Sequence, residues 1–186
     1  LTGLKNYSKM ITKKLEYHEI TFESLHDGDL TILGLQPKMD CSGIWTEGYG
    51  EAMIYNHEFL KGIENKALAN QLATIHTEQE AIENLNSRLE LNSLNVNRWL
   101  KVTLNQDQLD SLNSHFDNCG YSETLYGLIN SGDLKSDDLR VFWTQHYITS
   151  YGVQLPGLIK RRCTEYHWFL TGVWDYDAWR LYWDNI

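Results

Sequence analysis

Proline is almost absent from this chain, two residues in 186, and glycine reaches only 13. That scarcity excludes collagen-like repeats and the low-complexity tracts of linkers and disordered tails. Cysteine is scarce too. Cys41, Cys119 and Cys163 are odd in number and share no regular spacing, so neither a disulfide framework nor a zinc pattern is expected, and at least one thiol stays free or pairs with another chain. No apolar run reaches membrane-spanning or signal-peptide length, and the start LTGLKNYSKMITKKLEYHE is polar, so a soluble chain without stable membrane insertion is expected. Positive charge is also in short supply. Sixteen Lys and Arg against 25 Asp and Glu give a net charge of -9, which argues against a nucleic-acid partner held through its phosphates. Net charge still permits a local cationic cleft, to which Arg161 and Arg162 can contribute.

What is present is enough apolar residue, 42% of the chain, to bury a core in one domain. Met10, Ile11, Leu15 and Phe22 suggest a first helix from Tyr7 to about Glu23, with His18 and Glu19 interrupting its apolar stripe. Between Ser24 and Met53 the character changes to HDGD, LGLQP, CSG and EGYG, which predicts short strands and turns. Helices follow. Thr77 and Glu80 are spaced as a capping box for a helix to about Leu94, and Asn105 with Gln108 opens another that Gly120 stops. Ser122 and Ser136 cap two more, the latter with Leu139, Phe142, Trp143 and Tyr147 as its stripe, and Pro156 opens the last. Strands in front and helices behind predict a mostly helical α+β protein: a small β-containing N-terminal lobe and a helical C-terminal lobe. The expectation is a single domain over residues 1–186, with the first helix and β lobe at about 7–75, the helical lobe at 77–171 and an aromatic tail at 172–186.

Breaking a glycosidic bond needs a proton donor for the leaving oxygen and a carboxylate that activates water or forms a covalent intermediate. With 25 acidic residues, only local context can select such a pair. In MDCSGIWTEGYG, Asp40 and Thr46 stand six apart across a turn at Ser42-Gly43, an arrangement able to aim both side chains into one space. Upstream, Glu23 ends the first helix beside Phe22, an apolar neighbour of the kind that favours a neutral carboxyl, whereas Asp40 sits among turn amides that favour a carboxylate.

The stretch FESLHDGDLTILGLQPKMDCSGIWTEGYG resembles the signature region of phage-type endolysins, the glycoside hydrolase family of the phage lysozymes. That family carries a glutamate at the end of its first helix, then an aspartate or cysteine, then a threonine inside GxWTxGYG; these fall on Glu23, Asp40 and Thr46. LNQDQLDSL with HFDNCG, LYGLINSGD and GLIKRRCTEYHWFL extend the likeness over about residues 7–171, in the family's order. The resemblance implies a lysozyme fold with a cleft between its lobes, and hydrolysis of the β-1,4 bond between N-acetylmuramic acid and N-acetylglucosamine in peptidoglycan glycan strands. It also implies Glu23 as proton donor, and Asp40 and Thr46 as holders of the attacking water. It further implies a monomer without cofactor or metal, made in the host cytoplasm and acting in the periplasm on the cell wall. Two departures stand out: Glu51 follows Gly50 where many members have histidine, and His18 and Glu19 take positions that are usually apolar. Glu19, following His18, is the alternative acid; Glu23 is preferred because ESLHDGDL continues the family pattern.

Plainer uses compete with these. His26, Asp27 and Asp29 form a natural turn sequence rather than a ligand set, so no metal is expected there. Asp40 alone is a turn former, and Thr46 alone a strand residue. Phe116, Asn118 and Gly120 read as a helix terminus, and Arg161 and Arg162 as intrahelical partners of Glu165 rather than binders of muropeptide carboxylates. Trp174, Trp179 and Trp183 can stack on sugars, but packing of Trp174, Trp179 and Tyr182 as a docked terminal helix is preferred. Two other functions remain open: an inactive relative that binds glycan or protein, and a lytic transglycosylase, against which the presence of both Asp40 and Thr46 speaks.

Overall fold

A computed structural model describes residues 11–183. By its internal contacts the described chain divides into two compact units, one of residues 16–88 and one of residues 11–15 with 89–183.

In the unit of residues 16–88, helix α1 (Lys13–Phe22) continues from the other unit and is shorter than expected, and the expected start at Tyr7 lies outside the described residues. Thr12 opens α1 by accepting from the Leu15 amide at 3.1 Å. Leu15, His18 and Glu19 are wholly buried. The buried stripe thus keeps helical spacing but runs through polar side chains, which is why apolar periodicity saw an interruption. Three short strands, β1 (Lys38–Met39), β2 (Trp45–Glu47) and β3 (Glu51–Ala52), form an antiparallel sheet in that order. Residues 24–37, expected to contain strands, form turns and bends, held in part by the Gly28 amide on the Gln36 carbonyl at 2.9 Å. A second hairpin, β4 (Ile54–Tyr55) and β5 (Glu58–Phe59), turns through Asn56 and His57, both left-handed at φ 52° and 68°. This is the two-residue geometry that matches strand twist. Helix α2 (Lys66–Leu72) was not legible in the sequence, because two turns are too few for a periodic signal. It packs Ala69 against Trp45, Met53 and Leu60. Helix α3 (Glu78–Trp99) begins with the expected capping box, Thr77 Oγ1 on the Glu80 amide and Glu80 Oε2 on the Thr77 amide. It runs past Leu94 because Val96 reaches the core and Asn97 bonds back to the Ser93 carbonyl.

The remaining unit is helical. Helices α4 (Gln106–Cys119), α5 (Glu123–Asn130) and α6 (Asp137–Gln145) start at the expected caps Asn105, Ser122 and Ser136, each side chain accepting from the amide three residues on. A small hairpin, β6 (Thr149–Ser150) and β7 (Val153–Gln154), precedes α7 (Pro156–Thr171), and α8 (Trp179–Tyr182) closes the described chain. Leu112, Leu125, Ile129, Leu139, Trp143 and Phe169 form the core where these helices meet. Tyr147 lies beyond the end of α6, in a left-handed conformation at φ 57°, rather than on the helical stripe. Trp179, Tyr182 and Trp183 dock on Ile148, Ile159 and Cys163. Arg161 and Arg162 both meet Glu165, at 3.1 and 2.7 Å, inside the core, as the intrahelical reading expected. No helix among the described residues is long and apolar enough to cross a membrane.

Candidate active site

The unit of residues 16–88 holds Glu23, Asp40 and Thr46. In the first hairpin Lys38 lies opposite Thr46 and Met39 opposite Trp45. Since side chains alternate along a strand, Asp40 and Thr46 fall on the same side of this ladder, two positions offset. Asp40 closes the turn: its amide donates to the Ile44 carbonyl, and its Oδ1 accepts from the amides of Ser42 and Ile44, each at 2.8 Å. Those donors fix the carboxylate's direction through one oxygen and leave Oδ2 for an incoming group. Thr46 is 5% exposed and donates its hydroxyl to the Lys38 carbonyl at 2.8 Å. With its hydrogen committed, Oγ1 can only accept from a further partner. The turn-forming and strand uses read from the sequence are therefore both real, and they pre-set the orientation of the two groups.

Glu23 follows the last residue of α1, and its amide still bonds to the Glu19 carbonyl at 2.7 Å. Its half-buried carboxylate faces the turn between β2 and β3. A Cβ on Gly50, which sits at φ 81°, would stand 3.2 Å from Glu23 Oε2. Glycine is thus needed twice at that position, for the left-handed backbone and for the close approach of the acid. Glu19 is wholly buried on the inner face of α1. Of the two glutamates, Glu23 is the one with exposed surface.

The same turn is fixed by residues whose parts in the site the sequence did not reveal. Glu47 alternates to the face opposite Thr46, and its carboxylate accepts from the Thr74 amide and hydroxyl and from the Ile75 amide, at 2.8 to 3.1 Å. Arg88 on α3 donates to Glu51 at 3.1 Å and to the Tyr49 carbonyl at 3.0 Å, and the Tyr49 hydroxyl bonds to Glu78 at 3.3 Å. Burial, then the nearby Glu78 carboxylate, raises the Tyr49 phenol above its usual range. Glu51, standing where the family often has histidine, is therefore an ion-pair partner of α3. The partners lie 27 to 39 residues away, beyond the reach of a local pattern.

In HDGD, Asp27 Oδ1 accepts from the Asp29 amide, and Asp29 Oδ1 from the Thr31 amide and hydroxyl. The hydroxyl and amide of Thr31 are the main reason the half-buried Asp29 carboxyl lies below its usual range. Among the described residues no three His, Cys, Asp or Glu side chains gather as a metal ion requires. An open depression of about 340 Å³ on the second hairpin, lined by Ile54, His57, Glu58, Phe59 and Lys61, contains none of the three candidate residues.

The Phage lysozyme family model matches residues 32–165, a stretch that includes Asp40 and Thr46 and begins after Glu23. Among solved structures, the fold is similar to an endolysin from the Escherichia coli O157:H7 phage FAHEc1, with TM-score 0.67 and 23% identity over 93% of this chain and 99% of that one. It is also similar to the muramidase domain of SpmX from Asticaccaulis excentricus, with TM-score 0.60 and 22% identity over 87% and 97%. A third likeness is to a mutant of P22 lysozyme, with TM-score 0.59 and 20% identity over 87% and 99%. No curated protein matches the chain.

Proposed function

The chain belongs to the phage lysozyme family, and from that premise we propose that Glu23, Asp40 and Thr46 carry out hydrolysis of the β-1,4 bond between N-acetylmuramic acid and N-acetylglucosamine. Membership makes the protein a glycoside hydrolase of bacterial peptidoglycan. Glu23 delivers its proton to the glycosidic oxygen as the bond from that oxygen to the sugar's anomeric carbon breaks. A water that donates to the Asp40 carboxylate and to Thr46 Oγ1 presents a lone pair to the anomeric carbon, and Asp40 takes up its proton as the new bond forms. The observation that carries this reading is the placement of Glu23: half-buried, at the end of α1, with its carboxylate against Gly50 of the turn that follows Thr46. The enzyme works as a monomer on glycan strands, without a cofactor. It is made in the host cytoplasm and reaches the wall from the periplasmic side.

The test is digestion of purified peptidoglycan, followed by turbidity and by mass spectrometry of the released ends. Wild type is expected to clear the suspension and yield reducing muramic ends, with Glu23→Gln slower by on the order of 10²- to 10⁴-fold. Glu19→Gln is expected to keep its turnover, and Asp40→Asn to lose it. Thr46→Ser, which retains the hydroxyl, is expected to stay active where Thr46→Val does not. Loss of activity in Glu19→Gln with an active Glu23→Gln would overturn the assignment, and anhydro-muramic ends would replace hydrolysis with transglycosylation.

A further inference from the structure

The Gly48 carbonyl receives two hydrogen bonds from a single residue: the main-chain amide of His26 at 2.9 Å and its ring Nδ1 at 3.1 Å. One donor suffices to close this loop contact. The second immobilises the imidazole as well, and it settles the tautomer. A carbonyl oxygen only accepts, so Nδ1 must carry the hydrogen, and in the neutral ring Nε2 does not.

The place of this contact gives it meaning. The Glu23 amide bonds to the Glu19 carbonyl at the end of α1, and the chain then leaves the helix through Ser24 and Leu25. Three residues beyond Glu23, His26 ties the chain to Gly48. Its anchor, Gly48, is closely packed: a Cβ there would lie 2.9 Å from Ile75 Cδ1 and 3.3 Å from Ala81 Cβ. Arg88 and Glu78 hold the adjoining Tyr49 at its carbonyl and its hydroxyl. The Glu23 carboxylate abuts Gly50, two residues along the same turn. Residues 23 and 26 thus both meet the turn of residues 48–50, His26 through two hydrogen bonds to Gly48.

We propose that His26 is a positioning residue for the catalytic acid: by clamping the Gly48 carbonyl through its amide and Nδ1–H, it fixes the distance between the Glu23 carboxylate and the turn that follows Thr46. The inference rests on Glu23 being the acid. It assigns His26 no contact with substrate and no proton transfer, so its loss acts on turnover and not on glycan binding. Misplacing a reacting group by about 1 Å costs on the order of 10²-fold in rate.

Three variants and the wild type separate the possibilities. His26→Leu removes the ring donor at similar size, His26→Asn places an amide nitrogen close to the position of Nδ1, and Glu23→Gln controls for the parent reading. Steady-state kinetics on a soluble peptidoglycan oligomer are expected to show kcat of His26→Leu down by about 10- to 100-fold with KM within twofold. His26→Asn is expected within about threefold of wild type. Imidazole nitrogen NMR of the wild type, which needs no variant to fold, is expected to show the Nδ1–H tautomer in the neutral ring. Wild-type kcat in His26→Leu, equal losses in the Leu and Asn variants, an effect on KM alone, or an Nε2–H tautomer would each overturn the proposal while Glu23→Gln stayed inactive. An active Glu23→Gln would instead remove the reading on which it rests.

Discussion

Arg88 reaches Glu51 and the main chain of Tyr49 with separate guanidinium nitrogens, Nη1 to Oε2 at 3.1 Å and Nη2 to the Tyr49 carbonyl at 3.0 Å. The carboxylate partner is partly exposed, 38% against 23% for Arg88. Solvent therefore screens the ion pair, while the bond to the carbonyl bears more of the load. Arg88→Met is expected to destabilise the fold by about 1–2 kcal/mol and Glu51→Gln by less than about 1 kcal/mol. Urea unfolding of both variants checks the order. Equal losses would mean that the charge pair dominates.

Gly50→Ala tests the closeness of turn and acid directly. The new methyl carbon would meet Glu23 Oε2 at 3.2 Å, on a backbone whose φ of 81° already disfavours alanine. The carboxylate is the movable partner, so it is expected to swing away. Peptidoglycan hydrolysis should fall by about tenfold or more, with a stability loss of about 1–2 kcal/mol. Unchanged hydrolysis alongside that stability loss would show that the acid works from a position other than the one seen here.

His115 makes the fold sensitive to acid. Its ring is buried, with neither nitrogen hydrogen-bonded, and it packs edge-on to Trp143 and Tyr147 at 5.4 and 5.6 Å. Burial first, then the Arg162 and Arg161 charges, pushes its pKa down to about 3 against the opposing pull of Glu165. In the unfolded chain the ring titrates near 6.5. Above that value both states are neutral. As pH falls below it, the unfolded state takes a proton that the folded state refuses, so stability is lost from about pH 6.5 downward, until the buried ring itself titrates near 3. Between pH 7.5 and 5.0 the loss from this group is about 2 kcal/mol. His115→Phe keeps the ring packing and lacks the titration. Its unfolding free energy is expected to vary less over that range by the same amount, measured by urea unfolding at the two pH values.

What the sequence disclosed follows the physical range of each signal. The caps at Thr77, Asn105, Ser122 and Ser136 were legible because donor and acceptor lie three residues apart, and all four form. The inner face of α1 was misread because His18 and Glu19 are buried in defiance of their polarity. Helix α2 and the β4–β5 hairpin were too short to show a period. Of the candidate site, the sequence offered the spacing of Asp40 and Thr46 across one turn, and Glu23 through its motif. The supports could not: Arg88 meets Tyr49 across 39 residues, and His26, read as part of a turn, finds Gly48 across 22. Such pairings are made by tertiary packing and leave no local periodicity.

The hold of Glu47 on Thr74 and Ile75 concerns a stretch with no regular structure, between the end of α2 and the start of α3. Amides in such connections ordinarily trade hydrogen with solvent through small local openings. These two donate instead to a buried carboxylate on the central strand of a sheet, and releasing both strips that carboxylate of its main-chain donors. The connection is therefore expected to open together with β2. In hydrogen exchange, Thr74 and Ile75 should keep time with Trp45 and Thr46 rather than with the neighbouring coil, so that this piece of loop belongs energetically to the strand that bears Thr46.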